Sequence, residues 1–197
     1  MTTATKITIG RLLLIPVFVG FAAHYAQTVS RGHPVEAYRW AAVAVFIVAS
    51  VSDALDGYIA RRYNQRSRLG VILDPAADKG LMLSAIITLT FSPWPGGLPL
   101  WFTTLVISRD VVLIGGALLL NQVVEKVHIR THWTGKVATC FQMVTLAWVM
   151  LSLPGILMKQ IVTAIAGTFT LVSAVLYITD GIGQAQASGQ GEADSDL

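Results

Sequence analysis

The chain has 197 residues, 54% of them hydrophobic and only 13% charged, with a formal net charge of +3. That balance excludes an ordinary soluble domain, in which about a quarter of residues are charged, and the modest net charge gives no reason to expect a nucleic-acid partner. A single cysteine, Cys140, excludes an internal disulfide and is expected to be a small core residue.

Apolar stretches long enough to cross a bilayer recur along the chain. They predict an all-α, polytopic integral membrane protein with six transmembrane helices at about 7–24, 37–61, 70–91, 98–120, 132–153 and 157–179. The first stretch shows no A-x-A-like cleavage site, so no cleaved signal is expected. Pro93-Trp94-Pro95-Gly96-Gly97 and Leu153-Pro154-Gly155 are uncharged turn sequences between the third and fourth and the fifth and sixth helices. The basic residues gather elsewhere: Lys6 and Arg11, then Arg61, Arg62, Arg66 and Arg68, then Lys126, Arg130 and Lys136. The positive-inside rule puts both termini and the loop after the second helix in the cytoplasm, with the protein in the cell (inner) membrane. Trp40, Trp94, Trp101 and Trp133 fall near helix ends, where interfacial belts place tryptophan. Residues 1–180 are expected to form the transmembrane domain. Residues 181–197, rich in Gly, Gln, Ala and acid, are expected to be a disordered cytoplasmic tail.

Four carboxylates stand out against this apolar background, in the pattern Asp53-x2-Asp56-Gly57-x2-Ala60-Arg61-x8-Gly70-x3-Asp74-x3-Asp78. Charge at membrane depth is costly, so four acids within one short segment demand a function. The i,i+3 spacing of Asp53 and Asp56 and the i,i+4 spacing of Asp74 and Asp78 put each pair on one helix face. Two such faces offer hard oxygen ligands for divalent cations. Gly57 and Ala60 have little bulk and let a ligand or backbone approach. Arg61 supplies a planar fork suited to phosphate oxygens. Together these residues describe a site for a metal-bound pyrophosphate. Any one of them alone would pass as helix packing or as a positive-inside anchor; their conjunction would not.

All eight positions resemble the signature of the CDP-alcohol phosphotransferase family, and the resemblance covers nearly the whole chain. It implies a homodimeric enzyme of six transmembrane helices that transfers the substituted phosphoryl group of a CDP-linked lipid to an alcohol and releases CMP. It also implies two divalent cations, Mg2+ or Mn2+, held by Asp53, Asp56, Asp74 and Asp78, with Asp78 doubling as the catalytic base. Thr8, Gly57, Ala60, Arg61, Ser67 and Gly70 would then contact the CDP-lipid.

The acceptor lies outside the signature. Thr8 and Arg11, the segment Tyr58 to Lys79, and Trp133-Thr134-Gly135-Lys136 resemble the branch that joins CDP-diacylglycerol to glycerol 3-phosphate. Thr5 departs from the Asn usual there, and Ser108-Arg109-Asp110 from the usual Arg-Glu, the latter looking more like the branch whose acceptor is phosphatidylglycerol. Arg109, in the middle of a span, must face a polar cavity or an anion. With Lys136 it is a candidate for the acceptor's phosphate, and Lys136 is as readily a snorkelling anchor. Pairing of Arg109 with a carboxylate is the structural alternative, though not with adjacent Asp110, since sequence neighbours point apart on a helix. A divalent-cation transporter is a more distant reading: no internal repeat is visible, and cations would meet Arg61, Arg66 and Arg68 at the entrance.

Overall fold

A computed structural model describes residues 3–63, 68–123 and 133–195, with side chains for 9–52, 79–116 and 133–183. Among the described residues the regular structure is entirely helical: α1 (Thr3–Ser30), α2 (Glu36–Tyr63), α3 (Arg68–Phe91), α4 (Leu100–Val123), α5 (Trp133–Met150) and α6 (Ile156–Ser195). Each expected helix is present. Only two segments among the described residues, Ile9–Ser30 and Ile156–Gly183, are both long and apolar enough to cross a bilayer on composition alone. By length alone α2, α3 and α4, of 28, 24 and 24 residues, also exceed a hydrocarbon core of about 30 Å, while the 18 residues of α5 span about 27 Å.

The last helix continues to Ser195, past the boundary at 180 where a disordered tail was expected. Gln, Ala and Glu are good helix formers, and isolated glycines cost only about 1 kcal/mol each.

Contacts divide the chain into two compact units, Met1–Leu98 with Leu146–Leu153, and Pro99–Thr145 with Pro154–Leu197. In the first, α1 packs on both α2 and α3. Phe18 meets Phe46 with ring centroids 5.7 Å apart, and the Tyr25 hydroxyl donates to Glu36 at 3.4 Å, so α2 runs antiparallel to α1. Ile15 packs against Gly80, where a Cβ would stand 3.1 Å from its Cδ1, and Tyr25 lies edge-on to Trp94 at 4.6 Å; α3 is therefore parallel to α1. The turn after α3 needs its glycines. Gly96 has φ +68°, and a Cβ on Gly97 would sit 2.6 Å from the Leu89 carbonyl oxygen.

Trp94 departs from the belt expectation. It is buried, and its Nε1 donates to the Val149 carbonyl at 3.1 Å. Trp40, Trp101 and Trp133 are each more than half exposed. Cys140 is also exposed, which corrects its assignment to the core.

In the second unit α4 packs on α6. Trp101 and Leu105 cover Gly167, Arg109 reaches Ser173, and the Tyr177 hydroxyl donates to the Leu113 carbonyl at 3.2 Å. These three levels ascend together, so the two helices are parallel. α5 runs against α6, with Gly135 beside Ser173 and Gln142 bonded to Thr170. Large apolar side chains point outward in both units, including Leu13, Phe91, Val111, Ile114, Ile156 and Leu157. Soluble surfaces rarely carry them in such number.

Candidate active site

The acidic motif occupies helical backbone throughout its two halves. Asp53, Asp56, Gly57, Ala60 and Arg61 belong to the C-terminal part of α2, and Gly70, Asp74 and Asp78 to the N-terminal part of α3. The register of the first unit brings those parts to one end. Arg11 is seven residues before Phe18 and Asp53 seven after Phe46, so the antiparallel pair sets them at about the same level. Counting back from Ile15 and Gly80 carries α1 and α3 to Arg11 and the 74–78 segment together. Thr8 is on the same end of α1. Three helix ends thus share one level, with the buried Arg11, 2% exposed, among them.

The side chains of Thr8, Asp53, Asp56, Gly57, Ala60, Arg61, Gly70, Asp74 and Asp78 lie outside the described ones, and Ser67 lies outside the described residues altogether. A donor set of four carboxylates is nonetheless the chemistry that hard divalent cations need, and its backbone comes from two antiparallel helices.

The second unit holds a polar cluster around Arg109. Its side chain is 10% exposed and that of Asp110 5%, and Nη1 donates to Asp110 Oδ1 at 2.8 Å. This overturns the expectation that adjacent residues would not pair. The two Cα–Cβ bonds do diverge by about 100°, but the arginine stem is long enough to fold back. In a dry interior a cation and a carboxylate gain more by meeting than by staying apart. Nη2 donates to Ser173 Oγ at 3.2 Å, and Nε is buried with no hydrogen-bond partner among the described residues. Gly135 closes the cluster from α5: a Cβ there would stand 3.0 Å from Nη2 and 3.2 Å from Ser173 Oγ. Lys136, about 100° further round α5, is exposed.

Nothing in the motif singles out Ser173. The available signal is periodic: Thr163, Thr170 and Ser173 recur on one stripe of an otherwise apolar helix, and all three are buried. Thr170 forms a second bridge one turn before Ser173. Its Oγ1 accepts from Gln142 Nε2 at 2.8 Å and donates to the Ala166 carbonyl at 2.7 Å, tying α5 to α6.

Comparison with known proteins agrees with the motif. A family model described as CDP-alcohol phosphatidyltransferase matches residues 1–176. Proteins named CDP-diacylglycerol–glycerol-3-phosphate 3-phosphatidyltransferase from Shigella flexneri serotype 5b (strain 8401) and Escherichia coli (strain K12) are each 34% identical to the chain over 180 residues. The match covers 89% of this chain and 92% of each relative.

Proposed function

The chain belongs to the CDP-alcohol phosphatidyltransferase family, and on that footing we propose that it transfers the phosphatidyl group of CDP-diacylglycerol to glycerol 3-phosphate, giving phosphatidylglycerophosphate and CMP. The observation that carries this reading is the 34% identity, over most of both chains, to relatives whose names state that reaction. The complete acidic signature on α2 and α3 supplies the chemistry.

The acceptor's hydroxyl oxygen attacks the phosphorus that bears the diacylglycerol. One P–O bond forms, the P–O bond to CMP breaks, and the hydroxyl proton passes to the Asp78 carboxylate. Asp53, Asp56, Asp74 and Asp78 would hold two divalent cations, Mg2+ or Mn2+, which supply charge compensation for the diphosphate and for departing CMP. Thr8, Gly57, Ala60, Arg61, Ser67 and Gly70 bind the CDP-lipid, with Arg61 offering paired donors to phosphate oxygens. Arg109 and Lys136 bind the phosphate of the acceptor. The protein's contribution is positioning and electrostatics, as is usual in phosphoryl transfer.

The same reading makes residues 1–180 a six-span domain of the cell (inner) membrane, with both termini and the motif in the cytoplasm, residues 181–197 a cytoplasmic extension, and the enzyme a homodimer. The outward-facing apolar side chains and the concentration of basic residues at one set of helix ends support it. Phosphatidylglycerol as acceptor is a second reading, favoured by Asp110 after Arg109.

The deciding experiment offers purified protein CDP-diacylglycerol and Mg2+ or Mn2+ with glycerol 3-phosphate, phosphatidylglycerol, inositol phosphate or serine, and measures CMP. Release with glycerol 3-phosphate is expected. Release with phosphatidylglycerol alone moves the assignment to the second reading, and no release with any acceptor removes both.

A further inference from the structure

A buried arginine is most stable when its donors are satisfied by the protein around it, since an unmet N–H in a dry interior is costly, the more so when charged. Arg109 departs from that rule at Nε, as Arg11 and Arg39 also do, and differs from Arg39 in having a described anchor on each of its Nη groups. Nη1 is occupied by Asp110 and Nη2 by Ser173, while Nε is buried and has no hydrogen-bond partner among the described residues. Because the guanidinium is planar, two anchored nitrogens fix the plane and therefore the direction in which Nε–H points. Nη2 carries a second hydrogen on the same edge as Nε–H, and that edge is a bidentate donor for two oxygens of a phosphate.

We infer that Ser173 and Gly135 are positioning residues of the acceptor-phosphate site, orienting Arg109 so that its Nε edge is kept for the ligand. The inference rests on the reading of Arg109 as the acceptor's phosphate ligand. Ser173 is the only anchor of Nη2 recorded among the described residues, and it comes from α6, 64 positions away in sequence. Gly135 works by what it lacks. The atoms its missing Cβ would meet, Nη2 at 3.0 Å and Ser173 Oγ at 3.2 Å, are the two members of that hydrogen bond. A methyl group there would push apart the ends of two side chains, with no backbone in the way, so the helices stay packed while the guanidinium turns. The Gln142–Thr170 bridge, which binds α5 to α6, opposes withdrawal of α5 to make room.

The test is steady-state kinetics on the full-length enzyme, varying glycerol 3-phosphate and CDP-diacylglycerol in turn, with thermal denaturation in detergent alongside. Ser173→Ala and Gly135→Ala should each raise the KM for glycerol 3-phosphate about tenfold, the weight of one hydrogen bond to a charged group. The KM for CDP-diacylglycerol should change by less than about twofold, as expected when uniform binding of one substrate is lost. Ser173→Thr keeps the hydroxyl and should restore most of the acceptor affinity. A lowered melting temperature with both substrates affected alike would make the cluster structural and overturn the inference. Arg109→Lys separates the two levels of the argument. If it raises the acceptor KM while Ser173→Ala and Gly135→Ala do not, the acceptor site stands and the positioning role falls. If it leaves the acceptor KM unchanged, the acceptor reading of Arg109 falls and takes the inference with it.

Discussion

In the unit built on α1, α2 and α3, the described interior is apolar and aromatic except for Arg11, whereas Thr103, Asp110, Thr134, Gln142, Thr145, Thr163, Thr170 and Ser173 are all buried in the unit of α4, α6 and most of α5. Phe18, Tyr25, Phe46, Ile86, Leu89 and Trp94 fill the first by shape. Several hydroxyls in the second bond their own helix one turn back, as Thr145 does to Phe141 and Thr163 to Lys159, which lets those groups enter an apolar interior with their donors met, whereas the Thr134 hydroxyl is buried with no partner among the described residues. The first unit keeps its four motif acids near one end, on consecutive helices. The second builds its polar centre from three helices, each supplying one or two groups. The difference teaches that chemistry concentrated on adjacent helices can be recognised locally, while chemistry assembled across helices cannot.

Replacing the acids of the first unit tests this division most severely. Asp53→Asn, Asp56→Asn and Asp74→Asn should each reduce CMP release to the background of the assay while the protein still purifies as a folded species, and a chelator should do the same to the parent enzyme. Wild-type turnover in chelator would remove the metal proposal. Asp78→Asn should slow turnover by a factor on the order of 10² to 10⁴ and retain binding of CDP-diacylglycerol. A normal rate would show that the base lies elsewhere.

The remaining contrasts concern stability. Gly97→Ala should destabilise the first unit by about 1–3 kcal/mol, because the added methyl group meets the Leu89 backbone oxygen and no side chain can yield to it. Thr170→Val removes the acceptor of Gln142 and should cost about 1 kcal/mol in thermal or denaturant melts, in keeping with hydrogen bonds between membrane helices. An unchanged melt would mean that Gln142 finds another partner, and that the polar interior of the second unit is adaptable. The smallest effect should be a gain. Gly20→Ala, where a Cβ meets nothing within 4 Å, should stabilise α1 by about 0.5–1 kcal/mol.

The sequence by itself determined the helical class, the positions of six helices to within a few residues at most ends, and the acidic signature with its family. Each of these is a property of spacing along one chain. Apolar runs predict spans because a bilayer sets a length, and i,i+3 and i,i+4 acids share a face because the helix repeats every 3.6 residues. The end of α6 was less legible, since Gly-, Gln- and Ala-rich sequence is compatible with both helix and coil.

Only the tertiary structure decided that Trp94 is a core residue bonded to Val149, that Cys140 is exposed, and that Arg109 pairs with its own neighbour. It also decided that Ser173 and Gly135 surround that arginine. Residues 135 and 173 come near residue 109 only because α4 and α6 run parallel with α5 against them. No local period encodes that register. It follows from packing, in which small residues such as Gly135 and Gly167 fix how closely helices approach and so which polar groups can reach each other.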